Sequence, residues 1–238
     1  MKNKNRKRAF ITNLILSSVL IIVGLISFYP SKTLPIYGGK NIEPIYRGDN
    51  QNKNVSIMVN VYENAEIVEK MIEVFDAYGA KATFFVGGCF ADDNEKMLNT
   101  ILKNGHEIAN HGYFHLDHKK LNYQKNYSEI ENCGKIVKAL TGYTPTLFAP
   151  PSGSYSDLTL EACYNLNYEL IMWSKDTIDW RDSDKDKIFT RATRNPENGD
   201  LILMHPKKHS LDVLPKILEF YKTKGYNIVS VSQNINGI

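Results

Sequence analysis

Four of the six histidines in this 238-residue chain fall within thirteen residues, at His106, His111, His115 and His118. His111 and His115 are four apart and follow a short apolar run, His106 to Ala109, that reads as a strand. Both imidazoles can therefore face one point just past the strand end. Two neutral imidazoles bind Zn, Co or Ni well, and one or two further donors would complete an open catalytic centre. A His-x-x-x-His pair by itself is a weak sign of metal, because the same spacing arises from surface chemistry or core packing. Its weight depends on what the neighbouring elements bring to the same place.

From Val55 onward, strands alternate with helices. Strands are predicted over Val55 to Val61, Lys81 to Gly87, His106 to Asn110, Leu147 to Pro150, Tyr168 to Ser174, Asp200 to His205 and Asn227 to Gln233. Between them lie helical patterns over Ala65 to Tyr78, Asn94 to Asn104, Lys125 to Thr141, Asp157 to Leu166, Lys185 to Arg194 and Ser210 to Lys224. This order implies parallel βα units. Seven strands in a chain too short for eight full units predict an α/β fold of the incomplete (β/α)7 barrel kind, with an open doubly wound sheet as the alternative. In both, active sites form at the C-terminal strand ends. The unusual residues collect there: Asn60 closing the first strand, His111 and His115 after the third, Ala149 to Gly153 after the fourth, Asp176 to Trp180 after the fifth, and His205 at the sixth.

Hydrophobic residues make up 42% of the chain and charged ones 23%, which is a globular composition. The formal charge of +3 comes from the first eight residues, whose five positives leave 24 basic against 26 acidic residues in the rest. No basic body exists for nucleic acid to bind. Residues 1–8 read as a cytoplasmic basic segment and 9–29, free of charge, as a transmembrane anchor placing lipid bilayer among the partners. A cleaved signal peptide is the alternative. Residues 30–54, rich in Pro, Gly and polar side chains, read as a linker, and 55–238 as the domain, outside the cytoplasm. Cys89, Cys133 and Cys163 are too scattered for a zinc ribbon or a disulfide framework, and are expected as free thiols. Nothing predicts a protein partner.

The stretch from Val55 to the C-terminus resembles the polysaccharide deacetylases with a NodB-type fold, carbohydrate esterase family 4. Asn110, His111, Gly112, Tyr113, Phe114, His115 fit the family's Asn-His-(Ser/Thr)-x-x-His motif except at Gly112. Trp173 to Trp180 resembles its fourth motif, and Leu203, Met204, His205, Pro206 its fifth. The resemblance implies a distorted, incomplete barrel acting on cell-wall glycan, such as peptidoglycan or an N-acetylglucosamine polymer. It implies a divalent metal held by Asp-His-His, an Asp as general base and a His that protonates the departing amine. Carried over, His111 and His115 are metal ligands and His205 is the acid, tuned by Asp179. Leu203 and Trp180 line the acetyl pocket, and the backbone amide of Ser152 is an oxyanion donor.

The first motif departs from the family. Its Thr-Phe-Asp-Asp-Gly aligns with Met58, Val59, Asn60, Val61, Tyr62, so the base is Asn60 and the third metal ligand is Val61. The arginine that holds the base is Ala149. Glu63 is the candidate replacement ligand, with a solvated loop acid as its plainer reading. Two functions follow: a metal-dependent N-deacetylase weakened by the loss of its base, or an inactive glycan-binding module on the same fold. Among single residues, His106 is expected to pack or cap, His118 and His209 to be solvated, Asp117 to turn the chain, and Asp92 and Asp93 to start a helix.

Overall fold

A computed structural model describes residues 11–23, 36–37 and 40–237. The chain divides into two units, Met1–Pro35 and Ile36–Ile238. In the first, 11–23 is helical (α1) and its apolar side chains are exposed, Leu14 and Leu20 among them. Among the described residues no helix is long and apolar enough to cross a membrane. Of the expected anchor, 9–10 and 24–29 lie outside the described residues.

The second unit begins with a two-stranded ribbon, β1 (Ile36–Tyr37) against β2 (Lys40–Asn41). The body then runs β3 (Asn54–Val61), α2 (Ala65–Ala77), β4 (Thr83–Val86), α3 (Gly88–Asp93), α4 (Glu95–Lys103), β5 (Glu107–Asn110) and α5 (Tyr123–Thr141). It continues β6 (Leu147–Phe148), α6 (Asp157–Asn165), β7 (Glu169–Leu170), β8 (Lys175–Asp176), α7 (Lys185–Thr193), β9 (Leu201–Met204), α8 (Lys208–Thr223), β10 (Asn227–Ile228) and α9 (Val231–Ile235). The eight strands β3 to β10 form one sheet in the order β7-β6-β5-β4-β3-β9-β8, with β10 beside the start of β3. Every pairing in it is parallel.

β3 is buried along its whole length, as a central parallel strand covered on both faces must be. Alternation along it divides the core. Val55, Ile57, Val59 and Val61 join the cluster beneath the helices, where α2 contributes Val68, Met71, Ile72 and Phe75 at helical spacing. Met58 faces a second cluster with Phe85, Ala109, Ala149, Ile171 and Leu201. The helix ends follow the sequence: Asn122 caps α5 by accepting from the Lys125 N–H, and Gly142 ends it at φ 74°.

The expected barrel is present, with three corrections. The predicted strand Tyr168 to Ser174 is one extended run that changes partners. Its first half pairs with β6 and with Ile45, and its second half delivers the Ser174 N–H to the Leu201 carbonyl and leads into β8. The last predicted strand stops at Ile228, because a capping box between Ser230 and Gln233 turns the chain into α9. The stretch expected as a linker is part of the body in its second half. Ile45 bridges Ile171, and Arg47 reaches the fully buried Asp200 at 2.7 Å. A charge buried as deeply as Asp200 requires such a partner, and a sequence window cannot show one more than 150 residues away.

Candidate active site

The C-terminal strand ends surround a cavity of about 650 Å³ lined by Asn60, Tyr62, Glu63, His111, Phe114, His115, Ser152, Trp173, Asp176, Trp180, Leu203, His205, Pro206 and Lys207. All nine residues singled out from the sequence as catalytic, binding or ligating are here except Asp179, which lies directly behind His205.

His111 follows β5 and is 2% exposed. Its Nδ1 is 2.8 Å from the Ala149 carbonyl, which fixes that nitrogen as the donor and turns the lone pair of Nε2 the other way. Burial, reinforced by nearby His115, pushes its pKa down to about 3, so the ring is neutral. The His115 ring lies 5.2 Å from it at 72°, and burial lowers the pKa of His115 too. His115 takes a left-handed φ of 56°, a conformation that costs of order 1 kcal/mol in a non-glycine residue.

The loop holding this pair is fixed from behind. Asn110 accepts the Gly112 N–H, and the buried Glu129 carboxylate accepts the N–H groups of Tyr113 at 3.1 Å and Phe114 at 2.8 Å. Gly112, at φ 73°, allows the turn, and a Cβ there would sit 3.1 Å from His118 Nε2. His118, expected in solvent, is in fact fully buried and bonded to Asn126, and burial lowers its pKa to about 4. Its place in a run of histidines gave no sign of this.

On the β8–β9 flank, Asp179 and His205 are hydrogen-bonded to each other. Asp179 is 1% exposed and accepts from the His205 ring at 2.7 Å, the His205 backbone N–H at 2.8 Å and the Ser210 hydroxyl at 2.5 Å. Burial alone would raise its pKa, but the hydrogen bonds and charge of His205, with Ser210, hold it below the usual carboxylate value. The turn into Asp179 places Ile178 at φ 55°, a true outlier for a β-branched residue, and Asp176 compensates by accepting the Ile178 N–H at 2.7 Å. His209, also expected in solvent, reaches the Asp179 carbonyl at 2.8 Å. Trp180 is 56% exposed at the rim with Arg181 over its ring, while Leu203 is buried in the wall. Ser152 enters from a short turn at φ 56°.

The third flank, at the end of β3, is different. Asn60 lines the cavity at 5% exposure, and its Oδ1 is buried without a hydrogen-bond partner. The Val61 side chain packs among the apolar residues beneath the helices. The edge of the Tyr62 ring abuts Gly87, where a Cβ would meet it at 2.1 Å, and the ring stands 5.1 Å from that of His115. Glu63, the candidate third ligand, lines the cavity and is ion-paired with Lys207, which lowers its pKa. Among the described residues no group of three metal-binding side chains exists. Two imidazoles fit a divalent ion, but two protein ligands fall short of the three that a catalytic zinc site uses. Asp117 serves a turn, bonded to Ser154 and Lys120, and Asp92 and Asp93 end α3 instead of starting a helix. All three cysteines are free, with Cys89 only partly buried.

An incomplete parallel barrel, with a histidine pair and an Asp–His dyad around one cavity at its C-terminal mouth, defines the architecture. The family model for polysaccharide deacetylases matches residues 47–171. The uncharacterised protein YlxY of Bacillus subtilis (strain 168) is 33% identical over 80% of this chain and 60% of its own length. The chain thus spans less than two thirds of that relative. A peptidoglycan-N-acetylglucosamine deacetylase of Bacillus cereus is 30% identical over 78% of this chain and 70% of that protein. Among solved structures, a pseudoenzyme of carbohydrate esterase family 4 from Bacillus anthracis superposes with a TM-score of 0.80 at 28% identity, covering 83% of this chain and 70% of that one. A mutant of that pseudoenzyme is described as having restored enzymatic activity. This chain belongs to the polysaccharide deacetylase family, and is a divergent member of it.

Proposed function

We propose that this protein binds cell-wall glycan in the deacetylase groove and hydrolyses it at most residually. The observation that carries this reading is the β3 flank. A carboxamide, Asn60, stands where the family has its general base, and Val61 and Tyr62 bring no metal donor. An amide accepts no proton near neutral pH, and loss of a general base alone slows hydrolysis about 10²–10⁴-fold. The rest of the groove still suits a sugar strand. Phe114 and Trp180, both more than half exposed, offer apolar faces at its rim, and Leu203 and Trp173 line it. The Bacillus anthracis relative, a pseudoenzyme on this fold, agrees with the reading.

A second reading, a slow metal-dependent N-deacetylase using Zn, Co or Ni, draws on the intact Asp179–His205 dyad and the neutral His111–His115 pair. For location, the exposed apolar side chains of α1 and the uncharged run 9–29 favour a single-pass membrane anchor with the domain facing the wall. Calorimetric titration of the detergent-solubilised full chain with N-acetylglucosamine oligomers tests the binding reading. Saturable binding is expected, weakened roughly tenfold by Trp180→Ala, a loss typical of removing one stacking aromatic. No binding would overturn it.

A further inference from the structure

The run Glu169 to Asp176 joins the two ends of the sheet, β7 and β8, and carries Trp173 and Asp176, which line the cavity. On one side it is held by β6, with the Ile171 N–H donating to the Phe148 carbonyl at 2.8 Å. On the other side β9 takes hold only from Ser174 onward. Ahead of that point the open strand edge is covered by Ile45, which donates its N–H to the Leu170 carbonyl at 2.8 Å and accepts the Met172 N–H at 2.7 Å. Ile45 thus stands in for the strand that β9 has not yet supplied.

The residues that follow Ile45 are anchored by charge. Arg47 reaches Asp200 at 2.7 Å and Glu197 at 3.2 Å, and the Gly48 N–H donates to the Gly199 carbonyl at 2.8 Å. Asp200 is fully buried, accepts from the Ser174 hydroxyl at 2.8 Å and lies 3.3 Å from the Lys175 ammonium. One buried carboxylate therefore ties the strap, Ile45 to Gly48, to the run where the run changes partners. Without Arg47, Ser174 and Lys175, both on the run, would be left to compensate that charge.

A shift of the run would reach the cavity at two places. A Cβ on Gly153 would sit 2.7 Å from the Trp173 ring, so the ring is seated against the turn that brings in Ser152. Asp176 accepts the Ile178 N–H and so starts the turn into Asp179.

We infer that the strap Ile45 to Gly48 sets the Trp173–Asp176 wall of the groove, with Arg47 as its positioning residue, so that a segment outside the cavity tunes glycan binding. The inference rests on the glycan-binding reading above for its ligand, and none of the strap residues lines the cavity.

The test uses the full chain carrying Trp180→Phe, which leaves Trp173 as the remaining one of the two tryptophans. In that background Arg47→Gln should raise acrylamide quenching of Trp173 about twofold while far-ultraviolet dichroism stays native, as a locally opened segment does. With Trp180 retained, Arg47→Gln should weaken binding of the N-acetylglucosamine tetramer roughly tenfold, as when only about a tenth of the molecules keep the wall in place. Arg47→Lys, which keeps the charge, should recover most of both effects. A lower unfolding temperature with unchanged quenching and affinity would make Arg47 a fold-stabilising residue only and overturn the inference. Raised quenching with unchanged affinity would overturn it too, because the wall would then move without consequence for the ligand. If the wild-type chain binds no tetramer, the glycan-binding reading falls, while quenching still decides whether the strap holds the wall. Should Arg47→Gln not fold, Ile45→Ala, which keeps the backbone N–H and removes only packing, takes its place with the same two readouts.

Discussion

The two flanks of the cavity have diverged in opposite directions. On the β8–β9 flank, a buried carboxylate is held by the His205 ring, the His205 backbone and Ser210. A strained Ile178 delivers it, and Arg191 secures the turn through the Thr177 carbonyl at 3.1 Å. On the β3 flank, charge has been removed: Asn60 has an oxygen with no partner, Val61 is packed in the core, and Ala149 is buried where the family has an arginine. Either the carboxylate or the guanidinium left alone would be an unpaired buried charge, so losing both is the tolerable course. The Asp179–His205 pair and the shape of the cavity can thus persist beside an uncharged β3 flank, because the two sides are held by different elements.

The largest effect should come from rebuilding the missing flank. Asn60→Asp is expected to raise divalent metal affinity about 100-fold, read by titration with Zn²⁺ against a competing chelator, since a carboxylate lining the cavity adds a third donor to the two imidazoles. No gain would mean that the His111–His115 pair is not placed for metal at all. A smaller contrast concerns stability. Asp179→Ala removes an acceptor of three hydrogen bonds and should cost about 3 kcal/mol, whereas Asn60→Ala removes an unpaired group and should change stability by less than about 1 kcal/mol. Thermal unfolding measures both, and equal losses would erase the distinction between the flanks. The smallest effect is in acid. The lowered pKa of Asp179 gives stability that is complete above the ordinary carboxylate value and is lost as pH falls through the folded one. Asp179→Asn should flatten that acid limb, and Asn60→Ala should not. In every variant, His106 and His118, with pKa values pushed by burial from 6.5 down to about 4, should make stability fall between those two values as pH drops.

Much of this was legible in the sequence because it is local or periodic. Alternating runs named the barrel, and the ordered motifs named His111, His115, Asp179 and His205. The misses share a physical cause, which is partnership at long sequence distance. His118 looks like one more polar residue in a loop until Asn126 and Phe148 enclose it. His209 has no visible role until the Asp179 carbonyl lies 2.8 Å away. Glu63 shows no partner in its own stretch of sequence, and pairs with Lys207, 144 residues later. Tyr62 could have been found: a bulky ring in place of the family's glycine must displace something, and it fills the space over Gly87 beside His115. Phe114 was read as part of a motif, and its exposed ring shows only once the loop is folded.

Acetate release is the most direct measure of whether the lost flank decides the function. The full chain, supplied with Zn²⁺, Co²⁺ or Ni²⁺ and N-acetylglucosamine oligomers, should release acetate at least about 100-fold more slowly than the Asn60→Asp variant. In that variant, adding His205→Ala should abolish the gain. Wild-type release comparable to the rebuilt variant, and dependent on His205, would show that the groove is an enzyme without the residues held here to be indispensable.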